Sequence, residues 1–269
     1  MMKKNIFIIL VLVCTAALIS SCSKQIVKVA PTVGTDGYAF LKVAHYSPNF
    51  RQVTNNRDSF NVYVGNVSTA LSPGNKLNGG FLTYGAVFPS STNLYAAVNA
   101  GTLQAIRITL NGVTTPDSIT LATFTKTLTA GAYYSLIITD SLLNSSDQKR
   151  ILMQDEFVIS DTTHFTMRMV HAILNDTLGK NVDVYSTRLA TNIFSNISPG
   201  TVTPFTTQPY NFISDTLIVR RAGGFFELAR LSTVASPLAR QRAYTLVYKG
   251  LPSATTGTKA RSLFTFLNQ

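Results

Sequence analysis

The feature that most constrains this chain is that it repeats itself. "FLKVAH" at 40–45 matches "FTMRMVH" at 165–171, and the two runs end in His45 and His171. "SFNVYV" at 59–64 matches "NVDVYS" at 181–186 and aligns Tyr63 with Tyr185. "AYYSLII" at 132–138 matches "RAYTLVY" at 242–248, and "RILMQ" at 150–154 matches "RSLFT" at 261–265. The four matches keep the same order. Ordered self-similarity of this kind marks two copies of one structural unit, divided near residue 160.

The unit is built of strands. Short runs rich in Thr, Val, Ile, Tyr and Phe, such as "AFLKVAH" (39–45), "AIRITL" (105–110) and "SITLATFTKTL" (118–128), alternate with turn formers. These residue types suit a pleated, half-buried surface, and Asn111-Gly112 between two such runs is a hairpin signal. No stretch beyond the first 20 or so residues has helical periodicity. Many short strands at this spacing predict an all-β chain of two tandem β-sandwiches.

The start of the chain has a different job. Lys3 and Lys4 precede an apolar run from Ile6 to Ile19 that is too short for a membrane-spanning helix and right for a signal peptide. Ile19-Ser20-Ser21-Cys22 resembles the lipobox of bacterial lipoproteins, in which the cysteine sulfur carries a diacylglyceryl group and cleavage falls just before it. Residues 1–21 read as the lipoprotein signal peptide and 22–36 as a tether. Residues 37–160 and 161–269 read as the two sandwich domains. Lipid on Cys22 makes the membrane a partner, since two acyl chains anchor a protein stably. The expected location is the outer membrane. Ser23-Lys24-Gln25 lacks the acidic cluster of surface-exported lipoproteins, which favours the periplasmic face.

The other cysteine, Cys14, lies inside the signal, so the mature chain has no internal disulfide and its stability is expected to come from apolar burial alone. The chain carries 23 basic and 12 acidic residues, a net +11. The basic residues are scattered, with short clusters at Lys149-Arg150, Arg220-Arg221 and Arg240 to Arg242. They read as solvated strand faces and loops, and no nucleic-acid partner is expected.

His45-Tyr46-Ser47-Pro48 and Val182-Asp183-Val184-Tyr185 resemble the domain-of-unknown-function family 4397. That family opens on a strand ending in His, often followed by Ser-Pro, and continues with a Val-Asp-Val-Tyr strand. Each copy departs once from the pattern: Asn61 replaces the acid in the first, and Ala172-Ile173-Leu174 replaces the Ser-Pro turn in the second. The resemblance spans nearly all of the mature chain. It implies immunoglobulin-like sandwiches in an exported bacterial lipoprotein, and it implies no activity.

Few residues bear chemistry. His45 and His171 fall on apolar strand faces, where a histidine usually anchors a loop through the backbone. Asp183 either pairs with His171 or closes the adjacent loop. No His or Cys spacing forms a metal cage, no G-x-S-x-G elbow is present, and no metal, cofactor or catalytic residue is expected. The residues singled out are therefore Cys22 for lipidation, and His45, His171, Asp183, Tyr63 and Tyr185 as structural or binding positions. The expected function is a structural or interaction role in the envelope rather than turnover. Glycan or peptide binding is the sharper alternative, with a hydrolase behind it. The chain has no Trp for a sugar platform, but "PYNF" (209–212) and "GGFFEL" (223–228) offer loop-adjacent aromatics.

Overall fold

A computed structural model of the chain describes residues 36–49, 59–66, 76–89, 94–110, 120–139, 150–158, 161–210 and 214–268. Cys22, the signal, the tether and Asn111-Gly112 lie outside the described residues. The fold is all-β: two immunoglobulin-like sandwiches in tandem. The first holds β1 (Tyr38–Tyr46), β2 (Ser59–Asn66), β3 (Leu82–Thr83), β4 (Val87–Phe88), β5 (Ala96–Asn99), β6 (Leu103–Leu110), β7 (Thr120–Thr127), β8 (Tyr133–Thr139) and β9 (Arg150–Gln154). The second holds β10 (His164–His171), β11 (Val182–Ser186), β12 (Thr191–Ile197), β13 (Thr206–Pro209), β14 (Thr216–Arg221), β15 (Glu227–Ser232), β16 (Ala243–Lys249) and β17 (Ser262–Leu267). In the first half one sheet runs β4-β1-β8-β9, with β5 also on β1, and the other runs β3-β2-β6-β7. In the second half the sheets run β13-β10-β16-β17 and β12-β11-β14-β15.

The repeat extends to individual hydrogen bonds. β1 pairs in parallel with β8, and β10 in parallel with β16. The free edge of β1 is covered antiparallel by β5 near its start and by β4 near its end. The edge of β10 is covered in the same way by β13 and by a bridge to Val202. The Gly85 N–H donates to the His45 carbonyl and the Gly200 N–H to the His171 carbonyl, each at 2.8 Å. The Thr129 N–H donates to the Tyr134 hydroxyl at 3.1 Å, and the Ala239 N–H to the Tyr244 hydroxyl at 2.8 Å. Each tyrosine thus fastens the loop that precedes its own strand.

Strand alternation sends Leu41 and Val43 from β1, with Leu136 and Ile138 from β8, into a first core against Phe60, Val62, Ile106 and Ile108. Met167, Met169, Leu246 and Tyr248 make the matching second core against Val182, Val184, Leu217 and Val219. The opposite faces of the two inner sheets do not meet water; they meet each other. Ala44, Tyr46, Ile137 and Ile151 pack against Val170, Ala172, Val247 and Phe266 in a third core. The molecule is therefore a stack of four sheets.

This stacking corrects the expectation that the basic residues are solvated. Lys42 and Arg168 are each only 2% exposed and Lys249 is 7% exposed. All three lie on faces that would be outward in an isolated sandwich. It also corrects the expectation that apolar burial alone holds the chain together. Arg168 forms a buried ion pair with Asp155, and its Nε donates to Thr245 at 2.9 Å. Asp155 also accepts from the Tyr95 hydroxyl at 2.6 Å, the Ser135 hydroxyl at 2.7 Å and the Asn268 amide at 3.1 Å. The Lys42 ammonium donates to the Leu267 carbonyl across the same interface. Charges taken from water need partners of this kind.

Candidate functional site

The second sandwich has a sealed end and an open end. At the sealed end the His171 Nδ1 accepts the Ile173 N–H at 3.4 Å, and its Nε2–H donates to the Gly179 carbonyl at 2.7 Å. Burial lowers the His171 pKa, which favours the neutral ring that this pairing requires. His45 repeats the first contact, accepting the Ser47 N–H at 3.3 Å. Asp176, which the sequence reading missed, organises the rest. It accepts from the Gly179 N–H at 3.0 Å, the Tyr248 hydroxyl at 2.8 Å and the Arg261 guanidinium at 2.8 and 3.0 Å. Burial alone would raise the Asp176 pKa, but Arg261 and the backbone donors outweigh it and hold the pKa below the ordinary carboxylate value. A Cβ on Gly179 would stand 2.6 Å from an Asp176 oxygen, so any other residue there has to push the Asp176 carboxylate off its donors. His171→Ala is expected to cost about 1–3 kcal/mol, because it strands the Gly179 carbonyl and the Ile173 N–H in a dry site. Chemical denaturation with matched slopes checks this.

Asp183 does not meet His171. It closes loops instead, accepting from the Asn196 N–H at 2.7 Å, the Gly223 N–H at 3.1 Å and the Asn192 amide at 3.2 Å. In the first half the Asn61 side chain accepts from the Asn78 amide at 3.4 Å. Tyr63 is buried, 8% exposed, beside its cross-strand partner Arg107, whereas Tyr185 is only partly covered.

At the open end, where β10 begins and β11 finishes, the two sheets part around a cavity of about 430 Å³. Phe165, Met167 and Leu217 form an apolar floor, and Arg188, Tyr210 and Asp215 stand among its polar lining. Among the described residues of the lining, Asp215 is the one carboxylate. It accepts from the Ser186 and Thr187 hydroxyls and the Arg188 N–H, and lies 4.0 Å from the Arg188 guanidinium. These bonds fix the turn after β11 as the cavity wall. Tyr210 belongs to the "PYNF" segment that the sequence flagged as loop-adjacent.

On the outer face of the β12-β11-β14-β15 sheet, the Arg220 guanidinium sits over the Tyr185 ring, 3.7 Å from its centroid. Phe225, in the turn between β14 and β15, is 90% exposed, and its ring centroid is 5.9 Å from the same guanidinium. A shallow depression of about 310 Å³ joins these side chains to Asp183, Thr191 and Asn192. Among the described residues, no group of three or more His, Cys, Asp or Glu side chains is placed to hold a metal ion, and no helix is long and apolar enough to cross a membrane.

No family model and no curated protein matches the sequence. Among solved structures, the chain is similar to an α-glucan-binding streptococcal virulence factor, with 8% identity and a TM-score of 0.23, over 79% of this chain and 93% of that one. It is also similar to a family CBM26 module of Eubacterium rectale Amy13K, solved with maltoheptaose, with 11% identity and a TM-score of 0.22, over 86% of this chain and 95% of that one. Overlaps this loose carry no ligand across to this chain.

Proposed function

We propose that this is a lipid-anchored envelope protein that binds a ligand at the open end of its second sandwich and does not turn it over. The observation that carries this reading is the cavity itself. A cleft of this volume, apolar below and set with a few fixed polar groups above, has the form of a small-ligand site. Among the described lining residues Asp215 is the one carboxylate and is held by three donors, so no pair of the kind glycoside hydrolysis employs stands there. A rigid scaffold presenting loops at a sandwich end is a common way to build recognition. The resemblance to family 4397 implies an exported lipoprotein and no particular ligand, and the envelope location rests on Ile19-Ser20-Ser21-Cys22.

Two measurements test the proposal. Cells fed a labelled fatty acid are expected to label the wild-type chain and not Cys22→Ala, and the wild type is expected to enter the detergent phase. A wild-type chain that takes no label and stays aqueous removes the anchor from the proposal. For the cavity, the full chain in detergent is titrated with panels of oligosaccharides and short peptides while its melting temperature is followed. Ligands that raise it should lose their effect in Arg188→Ala and in Leu238→Trp, which fills the cavity. Hits unaffected by both changes, or no hit in either panel, would leave a purely structural role.

A further inference from the structure

We infer that the outer face of the second sandwich is a separate binding surface for acidic polysaccharide, centred on Arg220, Tyr185 and Phe225. It goes beyond the cavity reading and uses different residues. Arg220 is the starting point. Its cross-strand partner is Asp183, yet the Asp183 carboxylate is taken by Asn192, Asn196 and Gly223. The cross-strand partner of Arg220 on the other side, Glu227, feels the Arg220 charge, but its carboxylate is bound by the Nε and Nη2 of Arg230 at 2.6 Å each. Among the described residues, no acceptor takes the N–H groups of the Arg220 guanidinium. The Tyr185 ring, 3.7 Å from the guanidinium carbon, covers one side of the group, and its N–H donors are left for a ligand. A planar fork held in this way matches a carboxylate or sulfate in two parallel hydrogen bonds.

The surroundings select a sugar as the carrier of that acid. Phe225 is 90% exposed and Phe226 is 61% exposed, so the turn holds out apolar rings next to the free donors. The C–H face of a pyranose packs on such a ring while its acid group reaches the guanidinium. Thr191 and Asn192 in the same depression supply neutral polar groups for hydroxyls. The site is shallow and open along the sheet, which suits a polymer chain better than a buried small molecule. From Cys22 onward the chain carries 21 basic and 12 acidic residues, a net +9, which draws a polyanion towards the protein. The first sandwich offers no equivalent, because Tyr63 and Arg107 are buried there.

The test uses the full chain in detergent, with polygalacturonate and chondroitin sulfate as probes, dextran as the neutral polymer and poly-glutamate as the acidic peptide. Binding is read by affinity electrophoresis and calorimetry. Wild type is expected to bind one or both acidic glycans, with affinity falling as salt is raised, and to ignore dextran. Arg220→Gln and Phe225→Ala should each weaken binding about tenfold or more at an unchanged melting temperature. Arg188→Ala, in the cavity wall, should leave it intact, so the two sites can fail separately. The inference is overturned if neither acidic glycan binds, or if dextran binds equally well. It is also overturned if both variants bind like wild type, which would assign the attraction to dispersed lysines. Poly-glutamate binding as tightly through the same two residues would make the surface a peptide site.

Discussion

Arg168→Ala is expected to destabilise the protein by about 3–5 kcal/mol, more than most single changes to a β-protein surface. The reason is what it leaves behind. Asp155 would remain buried without its ion pair, left with the Tyr95, Ser135 and Asn268 donors and the more distant Lys42 charge, and the Thr245 hydroxyl would lose one partner. Asp155→Ala should cost a similar amount by stranding the guanidinium. Removing both charges for apolar side chains, Arg168→Met with Asp155→Leu, should recover much of the loss, since a buried pair contributes little beyond a well-packed apolar replacement. Because the pair joins the two halves, the transition should change shape as well as midpoint. The wild type is expected to melt in one cooperative step, and Arg168→Ala in two, one per sandwich. Calorimetry distinguishes these outcomes. A loss below 1 kcal/mol with a single step would show that the third apolar core alone holds the halves together. We further propose that residues 37–160 and 161–269 each keep enough core to fold alone, at lower stability, since each contributes only one face to that third core.

Much of this architecture is legible in the sequence because the repeat preserves the residues that make backbone contacts. His45 and His171 receive the same turn N–H, and Tyr134 and Tyr244 the same loop N–H, so those side chains mark structurally equal places. The stacking of the halves is not legible. In β1 the polar Lys42 alternates with Leu41 and Val43, and in β10 Arg168 alternates with Met167 and Met169. That alternation is what a solvated outer face produces, and nothing local distinguishes water from a second sheet. Asn268 and Asp155 lie just past strand ends, where polar residues are ordinary. The proposed outer-face surface is half legible: "GGFFEL" exposes Phe225 and Phe226 as its turn position implies. Arg220 read as one more surface charge, because its stacking on Tyr185 depends on strand register rather than on sequence spacing.

Stability is expected to rise with pH from about 8 to about 10 and to fall above that, an unusual profile for a basic protein. Lys42 sets the rise. Burial pushes its pKa down from 10.5 to about 8, with the nearby Asp155 charge opposing this only in part. Between those two values the unfolded chain holds the lysine proton and the folded chain releases it. Stability therefore increases with pH across that window, by about 3 kcal/mol if the whole shift is expressed. Lys249 acts in the same direction, because burial among Tyr46, Tyr84 and Phe264 lowers its pKa too. The phenols then reverse the trend. Burial raises the pKa of Tyr46, Tyr95 and Tyr248 well above 10, with Asp155 adding to the effect at Tyr95 and Asp176 at Tyr248. Once unfolded tyrosines ionise near pH 10 and the folded ones do not, each further step in pH favours the unfolded chain. Lys42→Met separates the contributions. It keeps an unbranched apolar chain of similar length in the buried site, and it removes the group that titrates. The variant should show a much shallower rise from pH 8 and an unchanged fall above 10. Denaturant melts at half-unit intervals of pH would show this directly, and a rise of equal size in both proteins would place the titrating group elsewhere than at Lys42.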